Sequence, residues 1–135
     1  MKALAVLAGC LLAVPAFAAP APVTGRWITE DGKALVEIGR CGQSLCGKVA
    51  KILKVDPSKP THDVHNPDPA KRNRPIEGLT ILSGLTADGD EWKGQIYDPK
   101  SGKTYRSVLQ RDGRTLTVKG CIGPFCKTQH WQPAT

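Results

Sequence analysis

The chain reads as all-β, an up-and-down antiparallel β-barrel of about eight strands, and three observations predict it. Short runs with strand-like alternation recur from Gly25 nearly to the C-terminus, and turn signals rich in glycine fall between them. No window carries the helical period over a useful length.

In chain order the strands fall at 24–30, 33–40, 46–54, 79–86, 91–97, 103–110, 114–120 and 127–132. Asp31-Gly32, Asp88-Gly89 and Asp112-Gly113 each sit between two of these runs as hairpin turns. Asp98-Pro-Lys-Ser-Gly102 makes another, with proline preset for the second turn position and glycine free to take positive φ. The Cys41 to Cys46 segment reads as a loop of its own. Alternation assigns the faces: Trp92, Gly94 and Ile96 oppose Glu91, Lys93 and Gln95, and Leu116 with Val118 oppose Thr115 with Thr117. A meander of this length leaves two unpaired edges unless it closes, and closure into a barrel removes them. An open sheet curled on itself is the other arrangement.

The first 18 residues have a separate task. Lys2 opens the segment, Leu4 to Val14 is apolar or small throughout, and Ala16-Phe-Ala18 is a small-x-small cleavage signal. The reading is a signal peptide over 1–18 followed by a single domain over 19–135, delivered to the periplasm or secreted. Leu7-Ala-Gly-Cys10 also resembles the lipobox at which bacterial lipoproteins are acylated, but the apolar run continues past Cys10. No later stretch approaches the roughly 20 apolar residues of a membrane helix.

The remaining cysteines are Cys41, Cys46, Cys121 and Cys126, spaced C-x4-C twice. An even count in an exported chain reads as disulfides, and the spacing is not that of a zinc ribbon. Loop-closure entropy favours the long bridges, about 4.5 kcal/mol against about 2 kcal/mol for each local ring. Geometry favours the local pairs Cys41 with Cys46 and Cys121 with Cys126, because residues flanking a four-residue hairpin loop face each other at about 4.5–5.5 Å. We take the local pairing.

A formal net charge of +7, or +6 without Lys2, is concentrated in Lys48, Lys51 and Lys54 and in Lys71, Arg72 and Arg74. Such a surface suits anionic lipid or an envelope polyanion, or is simply a solvated cationic face. Export and a mature chain with six aromatic residues argue against a nucleic-acid partner.

One segment breaks the strand rhythm. Val55 to Gly78 holds five prolines among Asp, His, Asn and Arg, with no strand or helix signal. Polar excursions of this size inside a small domain are more often functional than filler. Arg72 and Arg74 suit a carboxylate or phosphate, or else an internal clamp to Asp63, Asp68 or Glu77 that pins the loop across one barrel mouth. His62, Asp63 and His65 have ligand chemistry but no spacing that sets geometry. Gly102-Lys-Thr104 is a hairpin turn rather than the end of a P-loop, because Tyr97 stands where the first glycine belongs. No Gly-x-Ser-x-Gly or other nucleophile-and-base pattern marks an enzyme. The sequence assigns no cofactor and no metal.

Gly25-Arg-Trp27, Cys41-Gly-Gln-Ser-Leu-Cys-Gly47, Asn66-Pro-Asp68, Arg74-Pro-Ile-Glu-Gly-Leu79, Trp92-Lys-Gly94, Ile96-Tyr-Asp-Pro99, Gly102-Lys-Thr-Tyr105, Lys119-Gly-Cys-Ile-Gly123 and Thr128-Gln-His-Trp131 follow in order. Taken together this pattern resembles the exported bacterial family called domain of unknown function 2147. The resemblance implies a lipocalin-like (calycin) barrel in which Gly25 and Trp27 open the first strand, the indole lies across the closed base, and Trp131 sits near it. Calycins also stack an arginine from the last strand on that tryptophan, whereas here Gln132 follows Trp131. The family has no established activity. A barrel with a lid-like loop suggests a small lipophilic or anionic ligand, with Asn66, Arg72, Arg74, Trp92, Tyr97 and Tyr105 as candidate contacts. The other reading is a barrel filled by its own side chains, acting as a basic interaction module of the envelope.

Overall fold

The computed structural model describes residues 2–12 and 19–135. Eight strands follow one another: β1 (Gly25–Ile28), β2 (Ala34–Cys41), β3 (Ser44–Ile52), β4 (Thr80–Asp88), β5 (Glu91–Asp98), β6 (Lys103–Asp112), β7 (Thr115–Ile122) and β8 (Phe125–Pro133). Each pairs antiparallel with the next, and β8 returns to β1 through Trp27 opposite Pro133 and Ile28 opposite Gln132. The barrel is closed, as the alternation and the edge argument predict.

Where the observed strands differ from the sequence reading, the turns are the cause. Cys41 pairs with Ser44 across Gly42-Gln43, and Ile122 pairs with Phe125 across Gly123-Pro124. These are two-residue turns, shorter than the four-residue cysteine loops inferred from the spacing. Gly42 (φ 65°) and Gly123 (φ 54°) occupy the first central position with positive φ, while Gln43 and Pro124 do not. That is the pattern of a II′ hairpin, whose twist matches the flanking strands. The ladders therefore run past the cysteines, so β3 begins at Ser44 and β8 at Phe125. Asp88 and Asp112 likewise close their ladders opposite Glu91 and Thr115, and each turn is made by the glycine and the residue after it. Asp31-Gly32 is not a tight hairpin: β1 stops at Ile28 and β2 starts at Ala34. The Asp98 to Gly102 turn forms as expected, with the Gly102 N–H donating to the Asp98 carbonyl at 2.8 Å.

Both local disulfides are present, Cys41–Cys46 with Cα atoms 5.7 Å apart and Cys121–Cys126 at 4.1 Å. Cys121 faces Cys126 in register, whereas Cys46 faces Gly39 and reaches Cys41 diagonally. Among the described residues Cys10 is a free, exposed thiol.

Strand direction divides the barrel into two ends. The connections after β1, β3, β5 and β7 gather at the mouth, and the turns after β2, β4 and β6 gather at the base. Side chains fill the base half, with Trp27, Val36, Ile38, Leu45, Leu82, Leu85, Leu109, Leu116, Val118 and Trp131 in one cluster. Each fully buried leucine there stabilises the fold by about 1.5–3 kcal/mol relative to exposure. The chain before β1 seals this end: the Trp27 indole N–H donates to the Val23 carbonyl at 2.9 Å, and the Trp92 indole to the Ala21 carbonyl at 3.0 Å. Arg111 lies 5.4 Å above the Trp27 ring and donates to the Pro22 carbonyl at 3.2 Å. The stacking arginine thus comes from β6, not from the last strand.

Because β1 has only four residues, it covers β8 only at Gln132 and Pro133. The stretch of β8 nearer the mouth has no second neighbour, and the Glu30 carboxylate accepts the His130 N–H at 3.1 Å in place of a ladder bond. The barrel is tight at the base and open on one flank toward the mouth.

Candidate ligand cavity and the loop that frames it

Above the packed base the barrel is hollow. The cavity measures about 870 Å³, with Trp131 and Val118 among the residues at its inner end. Its apolar walls include Val49, Ile52, Ile81, Ile96 and Tyr105, and Ile122 and Phe125 form its lip. Gly120 leaves room on β7, since a Cβ there would meet Ile96 only at 3.5 Å. Lys33, Lys54, Lys59, Lys100 and Lys127 also line it, with Asp31, Asp56, Glu77 and Asp98. Lys33 bonds Asp56 at 2.8 Å and Lys59 reaches Asp31 at 3.4 Å. Burial, and then the neighbouring Lys100 ammonium, hold the Lys59 ammonium below its ordinary pKa. The cavity is therefore apolar inside and lysine-rich at its entrance.

The proline-rich loop after β3 frames that entrance and is organised around one buried carboxylate. Asp63 is fully buried. Its Oδ1 accepts the Tyr97 hydroxyl at 2.5 Å, and its Oδ2 accepts Asn66 Nδ2 at 2.8 Å and Arg74 Nε at 3.0 Å. The Asp63 N–H donates to the Arg74 carbonyl at 3.0 Å. Burial acts to raise the Asp63 pKa, but the bonds from Tyr97, Asn66 and Arg74, with the guanidinium charge, outweigh it and leave the carboxyl below its ordinary value. Burial and the facing carboxylate together push the Tyr97 phenol up to about 12.

Local chemistry explains the rest of the loop. Asp68 caps a single 3₁₀ turn, Pro69–Lys71, with proline at its start, a short element where the sequence reading had none. Arg72 Nε donates to the Asn66 carbonyl at 2.8 Å. At Gly102 the loop touches the β5–β6 turn so closely that a Cβ would collide with the His65 carbonyl, and φ there is 71°. A smaller groove of about 340 Å³ lies between loop and barrel, lined by Asn66, Lys71, Arg74 and Tyr97 among others.

The candidate contacts thus fall into three groups. Asn66, Arg74 and Tyr97 meet around Asp63, so the internal clamp forms at Arg74, whereas Arg72 donates to the Asn66 carbonyl and pairs with no acid among the described residues. Tyr105 lines the cavity. Trp92 lies at the base beside Ala21, five residues along β5 from Tyr97, or about 16 Å. His62 and His65 do not join a ligand set, and among the described residues no three His, Cys, Asp or Glu side chains converge as for a metal ion. Of the mouth lysines only Lys54 belongs to the basic clusters picked out in the sequence; Lys33, Lys59, Lys100 and Lys127, and Phe125, do not.

A family model described as "Uncharacterized protein conserved in bacteria (DUF2147)" matches residues 25–133. The chain belongs to this family. The match runs from the start of β1 to the end of β8, so the family unit is the barrel itself. The barrel also resembles a solved structure from Helicobacter pylori described as "Protein HP1028 from the human pathogen Helicobacter pylori belongs to the lipocalin family". Identity is 25%, 84% of each chain is covered, and the TM-score is 0.73. Among curated proteins nothing matches. Among the described residues no helix is long and apolar enough to cross a membrane.

Proposed function

We propose that this DUF2147 protein is exported, loses residues 1–18, and works in the periplasm or outside the cell as the domain 19–135, carrying a small apolar molecule with an anionic end. The observation that carries this reading is the cavity of about 870 Å³, walled by aliphatic and aromatic side chains and ringed by lysines. Its size falls within the range of small-molecule sites, about 300–1,000 Å³. The apolar part of the ligand lies against Ile81, Ile96 and Tyr105, and the anionic end remains with the mouth lysines. The likeness to a lipocalin-family structure supports a ligand-holding barrel. Two disulfides suit an oxidising compartment. The basic interaction module with a filled barrel has less support, because only the base half is packed.

Native mass spectrometry of the purified protein, before and after extraction with organic solvent, tests the proposal. A retained mass that extraction removes, and that an added long-chain carboxylate restores saturably, is the expected result. Gly120→Leu fills the cavity from β7 and should abolish uptake while leaving thermal stability close to the parent. If the parent retains no mass and takes up no amphiphile, the carrier reading is wrong.

A further inference from the structure

Beyond residue 20, the large hydrophobic side chains left exposed are Leu53, Val55, Val64, Ile122 and Phe125. All five belong to the loop after β3 or to the β7–β8 hairpin; the base has none. Phe125 is 80% exposed and Ile122 63%. Their hairpin is held firmly, with the Cys121–Cys126 bridge one rung below the Ile122–Phe125 pair and Arg106 Nη2 donating to the Gly123 carbonyl at 2.9 Å. An apolar pair on a braced tip stays in water unless a partner covers it.

Charge identifies the partner. Of the five lysines at the mouth, Lys33 and Lys59 have acidic partners, while Lys54, Lys100 and Lys127 have no ion pair among the described residues. The two other acids there bind backbone or hydroxyl donors: Glu77 accepts the Ile52 N–H, and Asp98 accepts the Lys100 N–H and the Ser101 hydroxyl. A tip of large apolar side chains beside unpaired ammonium groups matches an anionic bilayer surface, with headgroups meeting the lysines and Phe125 entering the acyl boundary. A soluble polyanion would engage the lysines and leave Phe125 in water.

We infer that the barrel mouth is a docking surface for anionic phospholipid membranes, with Ile122 and Phe125 as the inserting tip and Lys54, Lys100 and Lys127 as the headgroup contacts. Ile122 and Phe125 also form the cavity lip, so docking opens the cavity onto the acyl chains. Only that route rests on the carrier reading; docking itself does not.

Flotation with vesicles of phosphatidylethanolamine and phosphatidylglycerol, against pure phosphatidylcholine, tests the surface. The protein is recovered after export, with its N-terminus read by mass, because the apolar residues of the leader would bind lipid themselves. The parent floats with the anionic vesicles only. Ile122→Ser with Phe125→Ser lowers the partition coefficient roughly tenfold to a hundredfold. Replacing Lys54, Lys100 and Lys127 by glutamine also lowers it, while Lys93→Gln at the base does not. In Phe125→Trp the added emission shifts to the blue on binding and is quenched by brominated lipid. Circular dichroism shows that the variants remain folded, as the exposure of both side chains requires.

Absence of flotation overturns the docking surface, whatever the cavity retains by native mass spectrometry. Flotation that survives the serine substitutions, leaves Phe125→Trp unquenched and vanishes between about 0.1 M and about 1 M salt overturns it too. That outcome would establish polyanion-type adsorption instead.

Discussion

Asp63→Ala removes the acceptor shared by Tyr97, Asn66 and Arg74. A hydrogen bond to a charged group contributes about 1.5–3 kcal/mol, but adding three such values would overstate the loss. The Asn66 amide and the Tyr97 hydroxyl remain in buried or half-buried surroundings, and each lost partner there costs about 1–2 kcal/mol. The Arg74 side chain is 38% exposed and rehydrates, so its share stays below about 1 kcal/mol. The total is about 3 kcal/mol, or a fall in Tm of roughly 10 °C for a domain of this size. Urea unfolding followed by tryptophan fluorescence reads the loss. Limited trypsin digestion reads the loop, which should become cleavable after Lys71 and Arg72.

Asp63→Asn keeps an oxygen for Tyr97 and should cost about half as much. Its pH dependence has a definite sign. The folded pKa lies below the ordinary 3.8, so the ionised carboxylate's contribution is complete above that value and is lost as pH falls through the folded pKa. The stability gap between parent and Asp63→Asn should stay constant from neutrality to about pH 4 and narrow below it. An Asp63→Ala protein that unfolds within about 0.5 kcal/mol of the parent, with its loop still resistant, would refute this reasoning.

Three further outcomes follow from the same geometry. Gly102→Ala must relieve both a positive φ and a collision with the His65 carbonyl, so it should cost about 2 kcal/mol or more and release the loop to trypsin. Replacing Cys121 and Cys126 together by serine should lower stability by about 2 kcal/mol in chemical denaturation, the value for so small a ring. Arg111→Ala should remove about 1–2 kcal/mol and change Trp27 fluorescence, because it deletes both the cation over the ring and the bond to the Pro22 carbonyl.

Tyr97 offers an alkaline counterpart to Asp63. Its folded pKa of about 12 lies above the ordinary 10.0, so the neutral phenol's contribution is complete below pH 10.0 and disappears as pH rises through about 12. Comparison with Tyr97→Phe isolates that contribution from lysine titration in the same range.

The strands were legible because alternation reports directly which residues face a core. Leu116 and Val118 are buried and Thr115 and Thr117 are not, as the period of two requires. The local disulfides were legible from hairpin geometry, against the loop entropy that favours long bridges, although only Cys121 and Cys126 face each other and Cys41 reaches Cys46 diagonally. Turn position was less so: Asp-Gly marks a turn, but register decides which residue occupies the first central position, and here it was one step later than the pair suggested at Asp88 and Asp112.

Composition and periodicity by themselves determined the all-β class, the number of strands and the odd character of the loop from Val55 to Gly78. Each of those depends on neighbours in sequence or on a period that sequence displays. Closure of the sheet, preferred over an open curled sheet on the edge argument, rests on the pairing of β8 with β1. Tertiary structure alone decided that Asp63 gathers Tyr97, Asn66 and Arg74, that the arginine over Trp27 comes from β6, and that Trp92 belongs to the base. It also decided that lysines from four separate connections and strands share one mouth with Phe125. Asn66 and Arg74 reach Asp63 within one loop, but Tyr97, the Trp27–Arg111 pair, Trp92 with Ala21 and the mouth lysines join residues tens of positions apart. The folding of the sheet brings these together without leaving a mark on any local stretch of chain.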